Sequence, residues 1–506
     1  MRLFSALALL ALMPRPAAAC GGMFCDAVAP VDQAAERILF AFEDDEVTVE
    51  VQITYDGRDD NFAWVVPVPG EPELFVSNDA LFTQIANATV PTYSLTFDSR
   101  GGGGCGGMVA YDMAVEAGDI DSGYGVAVVS ESTVGPYDTV VLQADDSEAL
   151  VTWLQEQGYN LPSTLDAALE PYVASGQYFV ALKLSSDKDT GDLAPLGMRY
   201  PATSASIPLQ LTSIAAIPDL PVEVFVLGES RAVPDNYMHV QINEAAIDWY
   251  NAVSNYRDVV ARAADEAGGQ AFATDYSGST DILANLLWFD GMADVAYLRT
   301  LSDPITWAEA VMFSSIPASS QLNELVLTYV EPPPDVDDTT WLSCPSCYGT
   351  VTKKFDPVAA TDALKTDVLD VLQAEQARID AAPHLTRMFT TLDPEEMTAD
   401  PIFVFNSDIE QDVTSAHFAT DVTQEALFSG ETVARSLVLA DGRTYKLADP
   451  DKTGELSAVD SPAALIIEDL GAEGDGTVLF DGTAEAEAAA RRFSGGGSNK
   501  IGRAHV

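Results

Sequence analysis

Apolar and polar residues alternate with a period of two over much of the first half of the chain, which predicts β-strands. The clearest case is 47–55, which follows the apolar run 38–42 and the acidic turn 43–46. This pattern predicts an antiparallel hairpin with one face buried and the other in solvent. Residues 62–69 predict a further buried strand that ends at a sheet edge, because its prolines cannot donate hydrogen bonds to a neighbour.

Helical spacing of apolar residues becomes more frequent from about residue 243 onwards. A helix is predicted over 244–267 and is ended by Gly268 and Gly269. Further helices are predicted over 279–301, 303–314 and 356–381. Asp303 and Pro304 fit the N-cap and the first helical position of the second of these. The chain is therefore predicted to be α+β, with an antiparallel β-rich N-terminal half, a more helical second half and a small β-rich C-terminal part.

These changes in pattern predict a division into successive regions. They are a signal peptide (1–19), a β-rich α+β domain (20–240), a helix-rich region (241–405) with a proline-rich connector near 331–338, a small β-rich region (406–493), and a linker with an artefactual tail (494–506).

The first residues predict export from the cytoplasm. Arg2 is followed by an apolar segment over 3–13 and by Ala17-Ala18-Ala19, so cleavage is expected after Ala19. Cys20 then becomes the first mature residue. A lipoprotein signal usually has Leu where Ala17 stands, so simple secretion is favoured over lipidation. The mature chain is expected in the periplasm, at the cell surface or outside the cell.

The final residues differ in character from the rest of the chain. A flexible Gly/Ser segment at 494–499 leads into 501–506, a hexapeptide that looks like the translation of a sequencing adapter. The natural C-terminus is therefore expected to be missing, together with an anchoring or sorting segment. No other stretch of about 20 apolar residues occurs, so no transmembrane segment is predicted in the chain as given.

The charge balance limits the classes of partner. The chain carries 78 Asp and Glu against 25 Lys and Arg, a formal net charge of −53, while 47% of its residues are hydrophobic. The hydrophobic content predicts a folded protein, and the negative field excludes nucleic acid and anionic lipid as partners. The charge indicates a hydrated acidic surface suited to a saline environment, with calcium binding at defined places as the alternative.

The five cysteines are candidates for disulfide bonds in an oxidising compartment: Cys20, Cys25, Cys105, Cys344 and Cys347. Cys20 with Cys25 and Cys344 with Cys347 are the natural local pairs, and Cys105 is then unpaired. A longer cross-link from Cys105 to either end of the chain is the alternative, and spacing does not choose between them. Cys344 and Cys347 also form the C-x-x-C pattern of thiol oxidoreductases. Because the residues after Cys347 do not predict a helix, a structural disulfide is favoured over redox catalysis or a zinc site.

A twelve-residue acidic segment partly fits an EF-hand calcium loop. Asp449, Asp451 and Thr453 stand at the first three side-chain ligand positions and Asp460 at the twelfth, with Gly454 at the sixth. The twelfth position normally holds Glu, and the flanks predict strands rather than paired helices. A calcium site here and a plain acidic turn both remain open.

No motif of a known reaction is present. His239, His384 and His417 stand in no metal-ligand spacing and in no hydrolase motif, so a structural role is expected for each. Trp64 and Trp249 are expected to fill a core. No catalytic residue is predicted, and no cofactor other than calcium.

Several short sequence segments together resemble a family of exported bacterial proteins known as domain of unknown function 2330. The segments, which run from about Cys20 to Phe405, are Cys20-Gly21-Gly22-Met23-Phe24-Cys25, Pro30-Val31-Asp32-Gln33-Ala34, Phe62-Ala63-Trp64-Val65-Val66-Pro67-Val68-Pro69, Gly268-Gly269-Gln270-Ala271-Phe272 and Leu392-Asp393-Pro394-Glu395-Glu396-Met397-Thr398-Ala399-Asp400-Pro401. The resemblance implies export, a cysteine-bearing N-terminus and, in some members, a C-terminal membrane or sorting tail. It supplies no catalytic residues.

These observations together favour a non-enzymatic structural or binding module of the cell envelope or extracellular space. A thiol-disulfide oxidoreductase that uses Cys344 and Cys347, and a calcium-dependent surface protein, are the alternatives.

Overall fold

A computed structural model describes most of the chain as four β-sheets with helices packed against them. The described residues are 23–24, 32–43, 45–56, 63–99, 127–157, 165–184, 194–214, 216–250, 255–425, 432–446 and 462–494. The predicted signal peptide, Cys20, Cys25, Cys105 and the predicted calcium loop lie outside them.

The strands come from the whole described chain. They are β1 (Met23–Phe24), β2 (Asp32–Glu43), β3 (Glu46–Asp56), β4 (Ala63–Val68), β5 (Glu73–Val76), β6 (Thr92–Ser99), β7 (Ala127–Val134), β8 (Tyr137–Gln143), β9 (Tyr178–Leu184), β10 (Leu196–Pro201), β11 (Ala205–Ser206), β12 (Leu220–Gly228), β13 (Ala232–Pro234), β14 (Met238–Ile242), β15 (Ala271–Ser279), β16 (His384–Leu392), β17 (Ile402–Phe405), β18 (Ala416–Glu425), β19 (Thr432–Leu439), β20 (Thr444–Lys446), β21 (Ala464–Asp469) and β22 (Thr477–Asp481).

The helices are concentrated in the second half of the described chain. They are α1 (Asp79–Thr89), α2 (Ser147–Glu156), α3 (Leu165–Ala174), α4 (Leu209–Thr212), α5 (Tyr256–Glu266), α6 (Val295–Leu298), α7 (Pro304–Met312), α8 (Ser320–Tyr329), α9 (Asp338–Ser343), α10 (Pro345–Tyr348), α11 (Pro357–Ala363), α12 (Asp370–Ala381) and α13 (Thr483–Ser494).

A ten-stranded sheet forms the centre of the molecule, in the order β22-β21-β14-β15-β16-β12-β2-β3-β10-β5. The other sheets have the orders β1-β4-β9-β8-β7, β20-β19-β18-β6 and β11-β17-β13. Most pairs are antiparallel, but β2 with β12, β14 with β15 and β6 with β18 are parallel. The α+β prediction is confirmed, with strands mainly in the N-terminal half.

The period-two pattern places alternate side chains of the large sheet in two different cores. Ile38 and Phe40 on β2 pack towards the five-stranded sheet, in a cluster that also contains Trp64. Leu39 and Ala41 point to the opposite side, where α1, α7, α8, α11 and α12 cover the sheet. Helices α2 and α3 cover the outer face of the five-stranded sheet. The result is two sheets packed face to face between two helical layers.

One expectation about this sheet is wrong: β3 has no solvent-exposed face at its centre. Its polar residues Thr48 and Glu50 are 3% and 0% exposed. The helical layer covers the face that alternation alone would assign to water, and Glu50 is held there by Arg378 of α12. A buried polar position with a dedicated partner looks the same in sequence as an exposed one.

Helix starts follow the capping residues of the sequence. Asn78 accepts a hydrogen bond from the Ala80 amide at the start of α1, and Asp303 caps α7, with Pro304 at its first position. Such a cap contributes about 1 kcal/mol. The helix predicted over 356–381 is present as α11 and α12, joined by the π-helical turn Leu364–Leu369.

Of two further predicted helices, one is largely absent from the described chain and the other is present only in its second half. The segment 279–301 holds only the 3-10 turn Thr280–Leu283 and the four-residue α6. Within 244–267 there is a 3-10 turn at Glu244–Ala246, and α5 begins only at Tyr256. In both cases buried apolar side chains such as Leu287 and Trp249 belong to irregular segments that pack on the core, and helical spacing cannot distinguish these from a helix.

The ten-stranded sheet takes strands from each of the three regions predicted between 20 and 493. In addition, β6 pairs with β18 in the four-stranded sheet. The boundaries at 240 and 405 stay a prediction about domains.

Candidate functional site

A polar cleft lies where the parallel pairing of β14 and β15 ends. These strands pair in parallel as far as Val240 and Ala273, and α5 packs against them in a β-α-β arrangement. Irregularities in the ladders after Gln241 and Thr274 then bend the two strands. The cavity where they separate measures about 410 Å³. Carboxyl ends of parallel strands are the usual place for a ligand in such units.

Several chain segments contribute ionisable side chains to the cleft. They come from β6, the residues before β13, β14, the start of α5, β15, the segment 411–414, β18 and the turn before β20. The ionisable residues that line it are Tyr93, Arg231, His239, Glu244, Tyr256, Asp275, Asp412, His417, Asp441 and Arg443.

His239 is held between a carboxylate and a hydroxyl. Its Nδ1 lies 2.8 Å from Oε1 of Glu468, and its Nε2 lies 2.9 Å from Oγ1 of Thr274. Burial lowers the pKa of His239, so the ring is neutral at neutral pH. Since a carboxylate can only accept, Nδ1 carries the proton and Nε2 accepts from Thr274. The tautomer is thereby fixed, with a basic nitrogen directed at the Thr274 hydroxyl on the cleft wall.

His417 forms a second imidazole–carboxylate pair across the cleft. Its Nδ1 lies 2.8 Å from Oε1 of Glu244, and its ring stacks on Tyr93 with centroids 4.5 Å apart. The Tyr93 hydroxyl is buried and has no hydrogen-bond partner among the described residues. Burial, followed by the charges of Asp275 and Glu244, raises the pKa of Tyr93, so it is a neutral phenol that can donate.

Asp275 lies on the bulged part of β15 and is 4% exposed. Its Oδ1 accepts a hydrogen bond from the Tyr256 hydroxyl, and its Oδ2 lies 3.2 Å from Nε of Arg387. Burial raises the pKa of Asp275 to about 6, although Arg387 and Tyr256 both oppose this. The carboxyl group therefore changes charge near neutral pH.

Arg231 is the cation of the cleft that lacks a carboxylate. It is 8% exposed, its Nη2 lies 3.4 Å from Oγ1 of Thr274, and no carboxylate within 4.0 Å pairs with it in the part of the chain that is described. Its Nε has no acceptor there. Glu468 is near enough to act on its charge, but burial has the larger effect and lowers the pKa of Arg231.

The candidate residues predicted from the sequence mostly lie away from this cleft. Cys344 and Cys347 form a disulfide at the start of α10, and neither lines the cleft. The other candidate residues for disulfides and calcium lie outside the described chain. His384 is hydrogen-bonded to Oγ of Ser277 at 2.9 Å. Trp64 and Trp249 are buried in hydrophobic clusters, as expected.

The cleft itself was not predicted, although part of its signal is in the sequence. A strand, a helix ended by two glycines and another strand are the pattern of a β-α-β unit. That pattern would have placed His239 on the first strand of such a unit. Nothing local connects it with His417, which reaches the cleft only because β18 pairs with β6.

No three or more His, Cys, Asp or Glu side chains of the described chain are placed to hold a metal ion together. Among the helices that are described, none has the length and apolar character needed to span a bilayer.

The fold and cleft define an α+β protein with a polar cavity at a β-α-β crossover. The sequence profile of a family described as an uncharacterized protein conserved in bacteria, domain of unknown function 2330, matches residues 14–303. This is more than half of the chain, and the chain belongs to this family. No curated protein matches the chain, and no solved structure matches it.

The family match includes most of the cleft. Arg231, His239 and Asp275 lie within 14–303, whereas Asp412 and His417 lie beyond it. The segment 392–401, which also carried the resemblance, is likewise outside the matched residues.

Proposed function

We propose that the protein is an exported, non-enzymatic binding module of the cell envelope or extracellular space, and that its cleft takes a small ligand with an anionic carboxylate group. The binding of such a ligand is supported by two buried polar atoms of residues that line the cleft, Nε of Arg231 and the hydroxyl of Tyr93. Neither has a partner among the described residues.

The energetics of unpaired polar groups support a ligand at this place. A buried donor without an acceptor costs about 1–3 kcal/mol, and more when it is charged. A carboxylate bound to Arg231 satisfies the guanidinium through charge-assisted hydrogen bonds, which are among the stronger ones in proteins. The Tyr93 hydroxyl can donate to a further oxygen of the same ligand. The two groups therefore favour an oxygen-rich anion.

Export is supported by the N-terminal segment and by the cysteines. The first 19 residues have the composition of a signal peptide. The Cys344–Cys347 disulfide suits an oxidising compartment. Expression of the full gene in a bacterial host tests this. A mature chain that begins at Cys20 outside the cytoplasm is expected, and an unprocessed cytoplasmic chain would contradict export.

Binding can be tested with propionate as the probe, by calorimetry at constant ionic strength. We expect millimolar binding by the wild type and a loss of about tenfold or more in Arg231→Gln, since a charged hydrogen bond is removed. Tyr93→Phe removes a single hydroxyl and is expected to weaken binding several-fold without disturbing the fold.

Arg199→Gln is the matched control, because it removes the same charge from a half-exposed ion pair on β10 that does not line the cleft. Equal propionate binding by Arg231→Gln and Arg199→Gln would reject the cleft as the site.

One observation favours a second candidate function, ester hydrolysis. Thr274, His239 and Glu468 stand in the order nucleophile, base and orienting carboxylate, with contacts of 2.9 and 2.8 Å. Attack of Oγ1 of Thr274 on an ester carbonyl would pass its proton to Nε2 of His239, which would give it to the departing alcohol. Water would then attack the acyl-threonine, with its proton taken by Nε2, and the acid and the free Thr274 hydroxyl would be released. Hydrolysis of p-nitrophenyl acetate that is abolished in His239→Gln would support this candidate, and a rate equal to that of buffer would dismiss it.

A further inference from the structure

The charged groups of the cleft are paired within the protein with two exceptions of opposite sign. Glu244 is paired with His417, Asp275 with Arg387, and Asp441 with Arg443. Asp412 is exposed to solvent and has no cation within 4.0 Å and no hydrogen-bond donor among the described residues, whereas Arg231 is buried and lacks a carboxylate in the same set. One anion and one cation of the cleft are thus left without partners.

Asp412 is held in place by backbone pairing to β15. The neighbouring Val413 donates its N–H to the Ser277 carbonyl at 2.8 Å and accepts from the Ser277 N–H at 2.9 Å. This bridge fixes the segment 411–414 against the strand, so Asp412 is presented at the cleft wall next to Gly278.

Arg231 and Asp412 lie near the same imidazole. Burial has the largest effect on the pKa of His384 and lowers it, while Asp412 raises that pKa and Arg231 lowers it further. His384 is itself hydrogen-bonded to Ser277, the residue that is bridged to Val413 next to Asp412. Since Arg231 and Asp412 line one cavity, a single small ligand with both charges can pair with both side chains.

We infer that the ligand is a zwitterion of the α-amino acid type, whose carboxylate pairs with Arg231 and whose ammonium group pairs with Asp412. This rests on the proposed function and narrows it from any small carboxylate to one with a neighbouring positive charge. A cavity of about 410 Å³ is within the range of small-molecule sites.

Three probes of nearly the same size test the inference by calorimetry. L-Alanine carries both charges, propionate lacks the ammonium group, and ethylamine lacks the carboxylate. We expect the wild type to bind L-alanine about tenfold or more tightly than propionate, and to bind ethylamine weakest. Asp412→Asn should abolish the preference for L-alanine over propionate while it leaves propionate binding intact or stronger. Arg231→Gln should weaken both.

Asp290→Asn is the matched control, since Asp290 is exposed and does not line the cleft. It should keep the wild-type preference. Equal binding of L-alanine and propionate would overturn the zwitterion inference and leave the carboxylate site standing. Absence of binding by both L-alanine and propionate at millimolar concentrations would overturn both, and ethylamine binding as tight as that of L-alanine would overturn the anion site itself.

Discussion

Tyr256, the first residue of α5, donates its hydroxyl hydrogen bond to Oδ1 of Asp275 on the bulge of β15. The contact ties the start of the crossover helix to the strand that follows it, at the floor of the cleft. Arg387 approaches the other carboxylate oxygen at 3.2 Å and also bonds Glu223, which in turn meets Arg37. Negative and positive side chains thus alternate across four adjacent strands on the helical side of the sheet. Each buried carboxylate is stabilised in its charged form by the arginine on the neighbouring strand.

Asp275 makes the stability of the protein depend on pH in a predictable direction. Its pKa is raised from 3.8 to about 6, with burial as the main cause. The stabilising proton is fully bound below the unfolded pKa and is lost as the pH rises through about 6. The free energy of unfolding should therefore fall by about 3 kcal/mol between about pH 3 and pH 7 on account of this residue.

Urea unfolding of Asp275→Asn across this pH range measures the effect. Relative to the wild type, the variant should gain about 3 kcal/mol as the pH rises, because its amide does not ionise. Asp290→Asn, at an exposed position, should follow the wild-type curve. Wild-type and Asp275→Asn curves that stay parallel would contradict the assignment.

A second buried pair, Glu50 and Glu375, joins β3 to α12. Ser77 Oγ contacts Glu50 and lies 3.1 Å from Oε1 of Glu375, which also accepts the Asn78 N–H at 2.8 Å. Among the described residues, Arg378 forms its ion pair with Glu50 and lies near enough to Glu375 to act on its charge. Burial, with the charge of Glu50 as the next cause, raises the pKa of Glu375 well above its usual value. One cation thus serves two carboxyl groups, and Glu375 is the one that holds a proton.

Neutral substitutions at the two glutamates should have opposite consequences. Glu375→Gln removes an ionisation that destabilises the protein as the pH rises through the raised pKa, so it should increase the free energy of unfolding in alkaline solution. Glu50→Gln leaves Arg378 without its carboxylate and should lower that free energy by about 3 kcal/mol. Urea unfolding of both variants at pH values above neutrality measures this. An equal decrease in the free energy of unfolding of the two variants would contradict the assignment of the proton to Glu375.

The Cys344–Cys347 disulfide is expected to be structural. It closes a very short loop, so replacing both cysteines with serine should lower the free energy of unfolding by about 2 kcal/mol and leave propionate binding unchanged. Gly349, at φ +75°, ends α10 after four residues, so there is no long helix to activate a thiol. The insulin reduction assay should give the same rate for the wild type and the double-serine variant. A faster wild-type rate would support the oxidoreductase alternative.

The local pattern of apolar and polar residues predicted many strands and helix starts correctly, but it did not predict what packs against them. Period two over 47–55 placed Val49 and Glu50 on opposite faces of β3, and the predicted cap Asp303 marks a true helix start. Alternation could not reveal that a helical layer covers Glu50, because burial of a paired carboxylate leaves no local trace. The cleft could not be predicted from local pattern, because Tyr93, Arg231 and Asp412 come together only through strand pairings between distant parts of the chain.

The net charge of −53 predicts how the protein responds to salt. Repulsion among carboxylates opposes the compact state, and salt screens it, so the melting temperature should rise between about 0.1 M and about 1 M NaCl. MgCl₂ and CaCl₂ at matched ionic strength should raise it alike if screening alone acts. A rise specific to calcium that is lost in the Asp449→Asn/Asp451→Asn variant would instead identify the segment containing Asp449, Asp451, Thr453 and Asp460 as a calcium loop. A melting temperature insensitive to NaCl would contradict the screening account itself.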